Sequence, residues 1–285
     1  MYPIFFRLPD WFPLMGGAPI TSFGVFMFLS FLTAGVLLRS EMERTGHDPE
    51  VAWDLLFMAV LGGIIGAKLY YVLLNYPRLF EDPVRAIFSR GGMVWYGGFG
   101  GAAALVYWEI KRKKLPLGKM ADIIAPTLAI GYAVGRMGCF LVGDDYGRPT
   151  ASWVGIRFPR GTPPTRVDVL ERQFGIQVDP ALVEQFGQVV PVHPTQLYEI
   201  AMASIIFVIL WRLRLHKHGP GWLWWVCLAL LSFERFVVEL VRVKDDRFLG
   251  PFTIAQVIAM CLIVLSVWGA SRAVAVGRRP AGTPV

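Results

Sequence analysis

The sequence predicts an all-α integral membrane protein, with seven transmembrane helices and a small periplasmic head region. Three observations predict it. Only 17% of the residues are charged and 55% are hydrophobic, whereas a soluble domain carries about 25% charge. The mean hydropathy is +0.50. Apolar runs of roughly 17–25 residues, the length that crosses a bilayer, recur along the chain.

The N-terminal MYPIFFRLPDWFP lacks a basic start and is cut by prolines, so it does not read as a secretory signal peptide. Seven spans follow, at about 20–38, 52–74, 93–110, 121–142, 195–213, 221–241 and 252–271. Residues 1–285 are expected to form a single membrane domain, with a periplasmic head loop at 143–193 inside it. Between spans two and three, NYPRLFEDPVRAIFSRGG reads as an interfacial helix, apolar on one side and carrying Arg78, Arg85 and Arg90. KRKKLPLGK, Lys111 to Lys119, holds five basic residues in nine and belongs in the cytoplasm by the positive-inside rule. Alternation then places RLRLHKHG and the tail with Arg272, Arg278 and Arg279 in the cytoplasm as well. The N-terminus is therefore expected outside and the C-terminus inside. The loop at 143–193 is rich in Pro, Gly and Thr, with one short helical stretch, DPALVEQFG. Its length marks a small external domain rather than a linker. The net charge of +7 follows from this topology and needs no nucleic-acid partner.

The cysteines, Cys139, Cys227 and Cys261, lie in apolar segments without a CxxC pair. That pattern excludes a disulfide framework or thiolate metal site. His193 reads as closing a turn in HPTQ, and His216 and His218 fall on the cytoplasmic side. No spacing of His, Cys, Asp and Glu points to a metal, and no cofactor is expected.

Ionisable residues within spans are costly unless partnered or wetted. Lys68 lies late in span two, Arg136 late in span four and Glu199 early in span five. Span six ends in FERFVVELVRVKDDR, with Glu234, Arg235, Glu239 and Arg242. By the predicted orientation, four spans deliver these charges to the same outer side. Arg235 and Glu239 share a helix face at i,i+4. A polar cavity in the outer leaflet explains this convergence better than isolated structural ties. Arginine binds phosphate through a planar fork and stays charged when desolvated. Arg136 and Arg235, with Lys68 and Arg148 nearby, therefore suit an anionic lipid headgroup. The alternative is that they neutralise Glu199, Glu239 and Asp144; both hold if the carboxylates orient the guanidinium groups. GGMVWYGGFGG, Gly91 to Gly101, has six glycines in eleven residues, permitting close helix packing. Tyr96 in its middle reads otherwise as an aromatic-belt anchor.

Together GAKLYYVLLNYP, GGMVWYGGFGG, GRMGCFLVGDDYGR, HPTQLYE and FERFVVELVR resemble the prolipoprotein diacylglyceryl transferase family of bacterial inner-membrane enzymes. The resemblance implies a multi-pass protein of the bacterial cell (inner) membrane with a cavity holding phosphatidylglycerol. It also implies transfer of the diacylglyceryl group to the lipobox cysteine thiol of preprolipoprotein signal peptides. A thioether forms and glycerol phosphate leaves. Arg136 and Arg235 match the family's essential arginines, Gly147 its motif glycine and Glu239 its carboxylate. The chain departs from the family at Tyr96 (histidine), Phe23 (tyrosine), Cys139 (asparagine), Asp144 (glutamate) and Lys68 (arginine). The expected catalytic set is Arg136, Arg235, Tyr96, Asp144 and Glu239. Lipid binding is expected of Arg136, Arg235, Lys68, Gly147, Arg148, Tyr198, Glu199 and Arg242. Two other readings accommodate the departures: a paralogue using another acceptor, and a non-catalytic binder of anionic phospholipid.

Overall fold

The computed structural model describes residues 2–11, 16–76, 94–243 and 247–277. A short antiparallel hairpin opens the chain, β1 (Ile4–Arg7) with β2 (Pro19–Thr21). Helices α1 (Ser22–Arg44), α2 (Val51–Leu74), α3 (Trp95–Arg112) and α4 (Leu117–Val142) follow. Two short helices, α5 (Val167–Phe174) and α6 (Pro180–Phe186), precede α7 (Thr195–Leu213) and α8 (Trp222–Glu239). A second small hairpin, β3 (Arg247–Leu249) with β4 (Phe252–Thr253), leads into α9 (Ile254–Gly277).

Among the described residues, seven long helices fall on the seven apolar segments of the sequence. Five of them, α1, α2, α4, α7 and α9, are long and apolar enough to cross a membrane. The other two are 18 residues each and more charged: Glu109, Lys111 and Arg112 on α3, Glu234, Arg235 and Glu239 on α8. The protein is a multi-pass, mostly helical membrane protein. Helix α1 runs to Arg44 instead of stopping near residue 38. Polarity ends an apolar run there, but Arg39–Arg44 are mostly good helix formers that extend the helix itself. The interfacial helix expected after span two falls, with Arg78, Arg85 and Arg90, almost wholly outside the described residues, as do Arg278 and Arg279.

The chain divides into two compact units, residues 35–123 and residues 1–34 with 124–285. In the first, α2 and α3 meet through glycine. A Cβ built on Gly66 would lie 2.9 Å from Gly101 Cα, and one on Gly62 would lie 2.7 Å from the Gly101 carbonyl carbon. These two backbones approach as closely as small-residue helix seams in membranes do. Lys68 and Tyr96 belong to this unit; the Lys68 ammonium lies 5.3 Å from the centre of the Tyr71 ring, and Tyr96 is largely exposed.

In the second unit, Ala125 and Ala129 of α4, Ile206 and Leu210 of α7, and Leu223 and Cys227 of α8 form one apolar core. Cys227 is buried there as a small hydrophobe and donates to the Ala125 carbonyl at 3.4 Å. Ser30 of α1 donates to the Gly131 carbonyl at 2.6 Å. The segment between α4 and α7 carries a second apolar cluster, which Val243 from the stretch after α8 joins. Tyr146, Phe158, Leu170, Val178, Leu182, Val190, Val192 and Val243 are buried together, each large side chain contributing about 1.5–3 kcal/mol. Asp179 caps α6 by accepting from the Ala181 amide at 2.9 Å, with Pro180 at the first helical position. Helix α5 has no start signal in the sequence, since its N-cap, Arg166, makes no side-chain cap, whereas α6 opens on Asp179 and Pro180.

Candidate active site

Arg136 lies in the last two turns of α4, and side chains from two other parts of the chain meet it. Its Nη2 donates to Glu199 Oε1 at 2.9 Å, and its Nε lies 2.9 Å from Glu199 Oε2 without hydrogen-bond geometry. Its Nη1 donates to Asp145 Oδ2 at 2.9 Å. Tyr132, one turn earlier on the same face, donates to Glu199 Oε1 at 3.0 Å and accepts from Arg136 Nε at 3.3 Å. Glu199 is completely buried on the first turns of α7, so without Arg136 its charge would stand uncompensated.

The network continues through Asp145. Gly143, at a φ of 73°, ends α4 in the left-handed conformation, and Asp145 follows at a φ of 55°. That backbone path presents Asp145 to two arginines at once. Its Oδ1 accepts from Arg242 Nη2 at 3.2 Å. Arg242 Nε lies 3.9 Å from Glu239 Oε2, which in turn pairs with Arg235 Nη2 at 2.5 Å. The result is a chain of alternating charge: Glu199, Arg136, Asp145, Arg242, Glu239, Arg235. Its members come from α4, α7, α8 and the two segments that follow α4 and α8. Glu239 is buried, while Arg235 at one end of the chain and Asp145 in its middle are partly open, 34% and 45% exposed.

Backbone contacts hold the two loops that carry Asp145 and Arg242. The Gly147 amide donates to the His193 carbonyl at 2.8 Å, the His193 amide to the Arg148 carbonyl at 3.0 Å, and the Arg148 amide to the Val241 carbonyl at 2.8 Å. Arg148 Nε donates to the Arg242 carbonyl at 3.0 Å. A Cβ on Gly147 would lie 2.5 Å from Val241 O and 2.8 Å from His193 Cβ, so only glycine fits. Thr195 Oγ1 donates to the Asp145 carbonyl at 2.5 Å, and Gln196 Nε2 donates to the Asp144 carbonyl. Tyr198 reaches His193 Nδ1 with its hydroxyl at 3.2 Å, so it braces the loop and does not contact the charged chain.

Asp144 sits just past the end of α4. Burial, with the charge of Asp145 adding to it, pushes its carboxyl up to about 6. Its Oδ1 is buried and has no hydrogen-bond partner among the described residues. A carboxylate of that kind takes up a proton near neutral pH, the property a general base needs. Burial lowers the affinity of His193 for a proton. Cys139 Sγ lies 3.6 Å from Arg136 Nη1. Ligand atoms of Cys139, Asp144 and Asp145 come within 4.8 Å of one another, but both Asp145 oxygens already hold guanidinium groups, a poor setting for a cation.

Of the residues expected from sequence, the structure joins Arg136, Glu199, Arg242, Glu239 and Arg235, and sets Asp144, Gly147 and Arg148 in the loop beside them. Lys68 and Tyr96 lie in the other unit. Sequence reasoning missed Tyr132, Asp145 and Gln196. Each had a signal: Tyr132 is four residues before Arg136, Gln196 three before Glu199, and Asp145 adjoins Asp144 in the same motif.

The family model described as prolipoprotein diacylglyceryl transferase matches residues 9–271. Three relatives are each named phosphatidylglycerol–prolipoprotein diacylglyceryl transferase. That of Geobacter sulfurreducens is 30% identical, covering 98% of this chain and 97% of its own. The protein of Bacillus cytotoxicus is 31% identical over 89% and 87%, and that of Clostridium tetani 25% over 94% and 96%. With a match across nearly its whole length, and with the arginine, glycine and carboxylate motifs converging at one end of a helical unit, the chain belongs to the prolipoprotein diacylglyceryl transferase family.

Proposed function

We propose that this protein transfers the diacylglyceryl group of phosphatidylglycerol to the lipobox cysteine thiol of preprolipoproteins, at the outer face of a bacterial inner membrane. The alternating chain of charges around Arg136 is the observation that carries this reading. In the proposed orientation all seven long helices span the membrane, the N-terminus is outside and the C-terminus cytoplasmic. The segment between α4 and α7 is then the periplasmic head, and Arg136, Arg235 and Arg242 lie at the outer leaflet.

The phosphodiester lies against Arg136 and Arg235, with Arg242 alongside. Glu199, Asp145 and Glu239 hold the guanidinium groups in place before lipid arrives. The cysteine sulfur of the acceptor attacks the glyceryl carbon that carries the phosphate. The carbon–oxygen bond breaks, and its electron pair leaves with glycerol phosphate. Preorganised guanidinium groups stabilise the charge growing on that leaving group, without the reorganisation water would need. Asp144 takes the thiol proton. No enzyme nucleophile is required, because the acceptor supplies its own.

Arg136→Lys tests the clamp. Lysine keeps the charge but loses the fork, so transferase activity should fall by about 10²-fold while the protein remains folded. Full activity in that variant contradicts the assignment.

A further inference from the structure

Five buried side-chain oxygens have no hydrogen-bond partner among the described residues: Asp144 Oδ1, Gln196 Oε1, Glu199 Oε2, Glu234 Oε1 and Glu239 Oε2. All five belong to the charged end of the second unit. Two of them, on Glu199 and Glu239, face arginine nitrogens at ion-pair distance. The other three, on Asp144, Gln196 and Glu234, have no arginine nitrogen at that distance among the described residues, and of these Asp144 already serves as the base in the proposed mechanism. Gln196 is 0% exposed and Glu234 3%. Buried polar atoms in folded proteins are almost always paired, so an orphan needs an explanation.

Helix register brings these orphans together. Ile206 and Leu210 of α7 pack with Leu223 and Cys227 of α8. Seven residues, about two turns, lead back along α7 from Ile206 to Glu199, and forward along α8 from Cys227 to Glu234. Gln196 is one turn beyond Glu199 on the same buried stripe. Glu234 is close enough to interact electrostatically with Glu199, Arg136, Arg235 and Arg242. Its carboxyl therefore faces the site.

Every orphan is an acceptor, and that limits what satisfies it. A phosphate offers only more acceptors, and the arginines already answer it. An ammonium headgroup brings donors, but it cancels the net negative charge of its own phosphodiester, the charge that the arginines answer. Hydroxyl groups attached to a phosphodiester supply both an anion for the arginines and O–H donors for the orphans.

We propose that Glu234 and Gln196 form a hydroxyl-accepting pocket beside the arginines, selecting a lipid whose phosphodiester carries a polyol. This rests on the phosphatidylglycerol reading above and names the residues that would read its headgroup. Neither residue takes part in bond making. They position the headgroup, and their removal should erase a preference.

Binding of three lipids to the full-length protein in neutral nanodiscs tests it: phosphatidylglycerol, phosphatidylpropanol of the same charge but no free hydroxyl, and phosphatidylethanolamine. The wild type should prefer phosphatidylglycerol over phosphatidylpropanol by about tenfold or more, because a site built to bond a hydroxyl rejects the analogue without it. Glu234→Ala should lower that preference about fivefold, Gln196 keeping the remainder, with phosphatidylpropanol affinity unchanged. Should that variant fail to fold, Glu234→Gln, which keeps the volume and one acceptor, should still lower the preference about threefold. A wild type indifferent between the two lipids overturns the proposal, as does tighter binding of phosphatidylethanolamine or a preference untouched by either substitution. Headgroup preference without any transferase activity would instead sink the catalytic reading and leave the pocket standing.

Discussion

The seam between α2 and α3 and the charged end of α4, α7 and α8 hold their helices by opposite means. At the seam, side chains are absent: Gly62, Gly66, Gly97 and Gly101 let the two backbones touch. Among the described residues, no buried side-chain oxygen or nitrogen of the seam lacks a hydrogen-bond partner. At the charged end, long side chains do the joining, and several oxygens stay unsatisfied. Lipid gives helices no hydrophobic drive toward each other, so both regions depend on close contact or on polar bonds. The glycine seam is thus a structural joint, complete in itself. On the proposed reading, the charged end is completed by the lipid headgroup.

Four predictions break or sharpen that contrast, beginning with the largest effect. Arg136→Ala leaves the buried Glu199 without its counter-charge and, on the proposed mechanism, the leaving phosphate without its ligand. Transferase activity should fall by about 10²–10³-fold, and unfolding in detergent should cost about 3–5 kcal/mol less. Gly66→Leu at the seam should destabilise by about 1–3 kcal/mol through overpacking. Its loss of stability should be the same with and without phosphatidylglycerol, whereas the lipid should stabilise the wild type's charged end.

The third prediction concerns pH. The Asp144 carboxyl is raised to about 6 by burial and by Asp145, and it serves as a base only when ionised. Activity should therefore rise about tenfold per unit up to about pH 6 and then level. Asp144→Asn should lower activity and abolish this limb in a pH–rate profile. Because the native state holds this proton more tightly than the unfolded chain, the same group favours folding at low pH and loses that contribution as pH rises through about 6. The smallest effect belongs to the exposed Arg39–Glu50 pair. Arg39→Gln should leave the melting temperature and the activity unchanged.

Much of the fold was legible because a membrane span needs length and apolarity, both visible in sequence. The helix ends were less so, as α1 shows: its polar last turns look like a loop to a hydropathy reading. The site was half legible. Arg136, Glu199, Arg235, Glu239 and Arg242 were visible as charges within apolar runs. Asp145 was visible beside Asp144, but its role was not, because that depends on a left-handed backbone that places it between two arginines. Tyr132 and Gln196 resemble ordinary helix residues until their partners are known. Glu234 was visible as a charge, but its unpaired oxygen was not.

The most direct test of the central claim is mass spectrometry of a lipobox peptide after incubation with the purified protein and phosphatidylglycerol. The wild type should add one diacylglyceryl group to the peptide's cysteine through a thioether and release glycerol phosphate; Arg136→Ala should add almost none. A folded wild type that binds phosphatidylglycerol yet leaves the cysteine unmodified would contradict the account.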